Sequence, residues 1–219
     1  MTAAELTTDA ILPLQTTDKG DEALGLMSDF YLRHLPIVQE GRLVRIISED
    51  DLLDSDPQAE IGGYVHMQRP PAVRAEDHLY DVMKLLARHQ LTIVPVVDAD
   101  MKYLGMITAE DVLSYFSESG SFQDPGAIVV LSMTRHDYSL AEISRIVESE
   151  GVLILSNFVR SFPDSNRIEV TIKLNSESVG AIMATLERYD YNVKASFNER
   201  EFRDALMDRY DSLMNYLNV

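Results

Sequence analysis

The chain has 219 residues, with 19 Lys and Arg against 36 Asp and Glu, five His and no Cys, for a formal net charge of −17. That length predicts one large or two small domains, and the 46% hydrophobic and 25% charged content is that of an ordinary globular chain. The charge argues against nucleic acid or an anionic membrane as partner, because no run of Lys or Arg is present, and the lack of Cys excludes disulfides, thiolate nucleophiles and Cys-bound zinc.

The opening MTAAELTTDAILPLQ lacks the basic and apolar regions of a secretory signal. No stretch approaches the ~18 apolar residues of a membrane span, so a cytoplasmic location is expected. An internal repeat dominates the first half. Leu12–Val38 lines up with Pro71–Val97 at a constant offset of 59, placing Leu14 on Val73, Ala23 on Val82, Met27 on Leu86 and Pro36 on Pro95. One extra residue within DADMKY raises the offset to 60, so Arg45–Leu53 meets Gly105–Leu113.

Each copy reads as β-α-β-β-α. Helical spacing appears at Leu24, Met27 and Tyr31, and again at Val82, Leu85 and Leu86. An apolar strand follows, LPIV or TIVPVV, then a polar turn, QEGR or DADMK, then a second strand, LVRII or YLGMI. Ser48 or Thr108 opens the closing helix. These units are expected over residues 1–60 and 61–118, with a polar, Gly- and Pro-containing linker over 119–126.

Residues 127–197 change rhythm. AIVVLSM, VLILSNFVRSF, RIEVTIKL and YNVKASF read as strands, SLAEISRIVESE and SVGAIMATLERY as helices. The order β-α-β-β-α-β is ferredoxin-like, and the fold class is α+β throughout. Residues 198–219 predict a closing amphipathic helix, with Phe202, Leu206, Tyr210, Leu213 and Leu217 along one stripe.

Catalytic signatures are absent: no G-x-G-x-x-G, no G-x-x-x-x-G-K-[ST], no H-E-x-x-H and no G-x-S-x-G, with the five His scattered. The chain is therefore expected not to be an enzyme. The acidic run Glu49 to Asp56 lacks the glycine and spacing of a calcium loop, so no metal site is expected; it reads as a solvated first helical turn.

The informative motif is the strand-to-helix corner, present as Gly105-Met-Ile-Thr108-Ala-Glu-Asp111 and Arg45-Ile-Ile-Ser48-Glu-Asp-Asp51. One reading is structural. Thr108 with Asp111, and Ser48 with Asp51, have the spacing of a capping box, contributing about 1 kcal/mol per cap. The other reading uses the same atoms. A helix N-terminus attracts an anion, a hydroxyl there reaches phosphate or ribose, and a carboxylate one turn in accepts ribose hydroxyls. Gly105 would let a ligand approach the backbone.

Repeated in this setting, the corners and the segments HLPIVQEGRLVRIISEDDLL and TIVPVVDADMKYLGMITAEDVL resemble the cystathionine-β-synthase (CBS) domain family over residues 1–118. The resemblance implies a tandem pair, or Bateman module, with adenine nucleotides (AMP, ADP or ATP, the last with Mg²⁺) in clefts between the units. Carried onto this chain, one cleft would use Gly105, Thr108 and Asp111, with Val73, Ile93, Val94 and Pro95 around the base. A second, weaker cleft would use Ser48 and Asp51, with Leu14, His34, Leu35 and Pro36. There Arg45 stands where the family usually has Gly, and it either pairs with phosphate or plugs the cleft.

Residues 127–197 resemble an ACT or ACT-like domain. Arg135-His136-Asp137-Tyr138 replaces the family's glycine-containing ligand turn, and Leu153 stands at its Asn position, so a dimerising or docking role is preferred over amino-acid binding. The domain order is that of small bacterial CBS–ACT regulators, including some linked to acetoin utilisation. Two functions follow: a nucleotide-sensing regulatory homodimer acting on a protein partner, or an interaction protein with vacant clefts. Charge sharpens the choice. Residues 1–120 hold 21 acids and only 9 bases, with Arg33, Arg45, Arg69, Arg74, Arg88 and Lys102 the cations available to phosphate. AMP, or a nucleotide carried with Mg²⁺, is easier to accommodate there than free ATP.

Overall fold

The computed structural model of the chain describes residues 1–54, 56–64, 69–197 and 216. The expected helix over 198–219 lies outside the described residues apart from Tyr216. Contacts divide the chain into two units, Met1–Phe116 and Ser117–Val219.

The first unit opens with a single helical turn, α1 (Ala3–Leu6). The first repeat follows as β1 (Leu14–Gln15), α2 (Gly20–Asp29), β2 (His34–Gln39), β3 (Arg42–Ser48) and α3 (Glu49–Leu53). The second is β4 (Val73–Arg74), α4 (Leu79–His89), β5 (Ile93–Val97), β6 (Tyr103–Thr108) and α5 (Ala109–Ser117). Each sheet has three strands, the short leading strand parallel to the middle one and the third antiparallel. β5 reads IVPVV, buried throughout, and β2 is buried from Leu35 to Val38. Continuous apolar runs of this kind belong to strands covered on both faces.

α4 shows why its sequence is helical. Leu79 and Val82 are buried, and Leu85 and Leu86 pack against the same cluster. His78 caps its start, Nδ1 accepting the Tyr80 N–H at 3.2 Å, and Gln90 ends it in the left-handed region.

The sheet register slips at equivalent places, between Ile37 and Val38 and between Val96 and Val97. This shared bulge sets Arg45 opposite Ile37 and Gly105 opposite Val96.

The segments that lead into the repeats are exchanged. Ala3, fully buried, joins the core of the second repeat, with Met1 and Leu6 packed beside it. Its N–H donates to Asp77 O at 2.8 Å, and the Ala4 N–H to Ala75 O at 3.0 Å. Ile61, in a short 3-10 turn at Ile61–Tyr64, joins the core of the first repeat. Its N–H donates to Asp18 O at 2.9 Å, and the Gly62 N–H to Thr16 O at 2.8 Å. The acceptors Asp77 and Asp18, like Ala75 and Thr16, are one repeat apart. Ile93 and Met106 of the second repeat belong to the first repeat's cluster, which therefore draws on both repeats.

The second unit contains β7 (Ile128–Thr134), α7 (Leu140–Ser149), β8 (Ile154–Ser161), β9 (Arg167–Leu174), α8 (Gly180–Arg188) and β10 (Asn192–Phe197). The strands lie in the order β10-β7-β9-β8, all antiparallel. Alternation along β7 buries Val129, Leu131 and Met133 with Ile143, Ile146 and Val147 of α7 and Ile182 and Leu186 of α8. The linker expected over 119–126 holds one helical turn, α6 (Gly120–Gln123), anchored where the Ser121 hydroxyl donates to Leu155 O at 3.1 Å.

Candidate functional site

The two corners form on one plan. In the second repeat, Thr108 N–H and Oγ1–H both donate to Asp111 Oδ2 at 2.8 Å, and the Asp111 N–H returns to Thr108 Oγ1 at 3.0 Å. In the first, Ser48 N–H donates to Asp51 Oδ2 at 3.1 Å, and Asp51 N–H to Ser48 Oγ at 3.1 Å. Both are capping boxes with Asp in the third position.

They part at the bulge. Arg45 Nη2 lies 3.2 Å from Asp51 Oδ2, and Arg45 Nε–H donates to Ile46 O at 3.4 Å. Burial alone would raise the Asp51 pKa; hydrogen bonds from Ser48, then the Arg45 guanidinium, outweigh it and hold the carboxyl below the usual carboxylate range. At Asp111 the box falls on Oδ2, and Oδ1 makes no hydrogen bond among the described residues.

Gly105 does not serve as expected. Its φ is +150°, and a Cβ there would lie 2.4 Å from Thr7 Cγ2 and 2.9 Å from Thr8 O. The close approach that glycine permits is taken by the chain's own leading segment. Thr8 pairs with Met106, N–H to O at 2.9 Å one way and 3.2 Å the other.

The residues expected around a base are packed against protein. Val73 and Val94 sit in the second repeat's apolar cluster, while Leu14, Leu35 and Ile93 sit in the first's, each at most 2% exposed. Pro36 and Pro95 are buried in their strands. These seven residues therefore serve as core.

His34 is brought to the junction between the repeats. Its Nδ1 accepts the Thr92 N–H at 3.3 Å and lies 3.2 Å from Thr92 Oγ1, which in turn accepts the Arg33 N–H at 3.1 Å. Burial, and then the Arg33 charge, lower the His34 pKa against the opposing pull of Asp50 and Asp51. The neutral ring is the form that can accept from Thr92.

The candidate cations are unevenly engaged. Arg33 is paired with Glu49 at 3.3 Å and Asp50 at 3.2 Å, and Arg45 with Asp51. Arg69 lies against Met101 Sδ at 3.0 and 3.2 Å, and Arg74 is 3.9 Å from Glu76. Arg69 and Arg74 line a groove of about 510 Å³ along β4 with Asp77, Leu85, His89 and Met101, apart from Thr108 and Asp111. His89 and Met101 are residues that sequence reasoning did not pick out; nothing in their spacing announces a groove. Among the described residues, no group of three or more His, Cys, Asp or Glu converges as a metal site, and no helix is long and apolar enough to cross a membrane.

Two exchanged β-α-β-β-α repeats with matched capping corners define a tandem, pseudo-symmetric α+β pair. The CBS domain profile matches residues 3–57 and 60–118, and the chain belongs to the CBS domain family. It is 31% identical over 75 residues to the magnesium transporter MgtE of Thermus thermophilus, a match covering 34% of this chain and 16% of that protein. The chain thus spans only a small part of that relative's length. A solved CBS domain pair/ACT domain protein from Thermotoga maritima is 24% identical with a TM-score of 0.48, the match covering 54% of this chain and 98% of that one. The structure of CBSX2 in complex with AMP is 25% identical with a TM-score of 0.45, covering 52% and 95%.

Proposed function

We propose that the chain is a regulatory module that binds an adenine nucleotide at the Thr108–Asp111 corner and signals the bound state through domain or dimer rearrangement to a protein partner. The observation that carries this reading is the corner itself. The helix start of α5 offers positive dipole, Thr108 offers a hydroxyl, and Asp111 keeps Oδ1 outside its capping box. Thr108 and Asp111 would meet phosphate and ribose. The scarcity of unpaired cations in this half favours AMP, or a nucleotide carried with Mg²⁺, over free ATP.

Thermal unfolding with and without AMP, ADP and Mg²⁺-ATP tests it. Stabilisation of about 2.7 kcal/mol is expected at a hundredfold excess over the dissociation constant. The Asp111→Ala variant is expected to lose that shift, and a shift that survives the substitution places the ligand elsewhere.

A second reading has its own observation. Val73, Ile93 and Val94 are sealed in apolar clusters and Thr7–Thr8 crosses Gly105, as in a pair whose clefts stay vacant and whose surface is its function. No midpoint shift with any nucleotide favours this reading.

The second unit is read as an ACT-like module without an amino-acid ligand. Its strand order supports the likeness. Tyr138 packs against the core, and its hydroxyl accepts from Asn157 Nδ2 at 3.1 Å, at the turn where a ligand would sit. A homodimer through this unit predicts that a chain ending after Glu118 sediments as a monomer while the full chain does not.

A further inference from the structure

We propose that Arg45 closes the first-repeat corner from within, so that the chain takes one adenine nucleotide, at the Thr108 corner, rather than two. This rests on the nucleotide reading of that corner. Arg45 and Gly105 occupy the same register position, opposite Ile37 and Val96 beside matching bulges. The two caps share the same spacing and nearly the same bond lengths. What differs is what each carboxylate has left to offer.

Asp51 Oδ2 already accepts from Ser48 N–H and from the Arg45 guanidinium at 3.2 Å. Arg45 is held in turn by Ile46 O, and its side chain is only 19% exposed. A ribose reaching for Asp51 must first break a charge-assisted bond and move a largely buried guanidinium. Among the described residues Asp111 pairs with no cation, and its Oδ1 has no hydrogen-bond partner. Equal folds therefore leave unequal sites. The first repeat carries its own cation in place of a ligand.

Calorimetric titration of the full chain with AMP reads the stoichiometry. One site is expected in the parent chain and two in Arg45→Gly and Arg45→Ala, with far-ultraviolet circular dichroism reporting that each variant is folded. Two sites in the parent overturn the proposal. So does a variant that keeps one site, or one that binds more weakly, since the latter makes Arg45 a phosphate ligand. A parent chain that binds no AMP while Arg45→Gly binds one leaves the lock standing and removes the Thr108 reading. Binding in none of the three removes both. Carboxyl-carbon NMR of the parent chain needs no variant: AMP is expected to move the Asp111 signal and leave Asp51 in place, and movement at Asp51 overturns the proposal.

Discussion

In the first repeat the Arg45 guanidinium lies 3.2 Å from the capping carboxylate of Asp51; in the second, the same register position is Gly105, and the chain's own Thr7–Thr8 crosses it. The backbone plan is common to both: a bulge, three residues, a hydroxyl cap and an aspartate one turn in. Duplication has preserved the fold of the corner without preserving its chemistry. The residue beside the bulge decides whether the corner is crossed by a side chain or by a passing backbone. In one case a cation pairs with the capping carboxylate, and in the other no cation does so among the described residues.

The sharpest way to break this comparison is to give the second corner a side chain. Gly105→Ala puts a Cβ within 2.4 Å of Thr7 and 2.9 Å of the Thr8 carbonyl, at a φ that L residues rarely adopt. A loss of about 3 kcal/mol is expected in urea unfolding, the upper end for overpacking. Arg45→Gly at the matching position loses one partly exposed ion pair and is expected to cost about 1 kcal/mol or less. Equal losses would show that the leading segment does not depend on the glycine.

The caps come next. Asp111→Ala removes a capping box at about 1 kcal/mol. Asp51→Ala removes the same box and also leaves the Arg45 guanidinium without its carboxylate, so about 2 kcal/mol is expected. Thermal melts of the two variants side by side check the order, and the reverse order would mean that the ion pair contributes nothing to the first corner.

Acid should separate the repeats as well. His34 has a lowered pKa in the folded chain, so unfolding takes up a proton as pH falls through the ordinary histidine value of about 6.5. Its contribution to stability is full above that value and is lost from there down through the folded pKa. Asp51 is lowered too; its contribution is full above the ordinary carboxylate value of about 4 and is lost below it. Urea midpoints measured from pH 8 to pH 3 should fall in two steps, the upper one absent in His34→Gln. A profile unchanged by that substitution would mean that the Thr92 hydrogen bond is not the junction's acid-sensitive contact.

Much of this was legible beforehand, for physical reasons. The repeat offset fixed which residues correspond, and the apolar runs LPIV and TIVPVV announced strands. The Ser48/Asp51 and Thr108/Asp111 spacings announced the caps, because a cap is made within one turn of chain. What escaped was non-local. Nothing in MTAAELTT reveals that Ala3 packs in the second repeat while Ile61 completes the first. For the same reason Gly105 read as room for a ligand, when the neighbour that needs the room lies almost a hundred residues upstream. Val73, Ile93 and Val94 were expected to line a cleft, but one apolar strand serves equally as wall or as core, and composition cannot separate the two.

The smallest effect bears on that same ambiguity. Tyr103 stands where the first repeat has Leu43, each paired just past its bulge. It packs against the first repeat's cluster, and its hydroxyl is buried with no hydrogen-bond partner among the described residues. Burial pushes the hydroxyl's pKa far above its ordinary value. Removing a buried polar atom that makes no bond is neutral or stabilising, whereas removing one that makes a bond costs about 1 kcal/mol. Tyr103→Phe brings the position closer to its apolar counterpart, and unchanged or slightly raised stability is expected in urea unfolding without nucleotide. A loss of 1 kcal/mol or more would mean that the hydroxyl is bonded in the free protein. If stability is unchanged but the AMP-linked stabilisation shrinks, the hydroxyl's partner is the ligand, and the second repeat differs from the first at two positions beside the bulge rather than one.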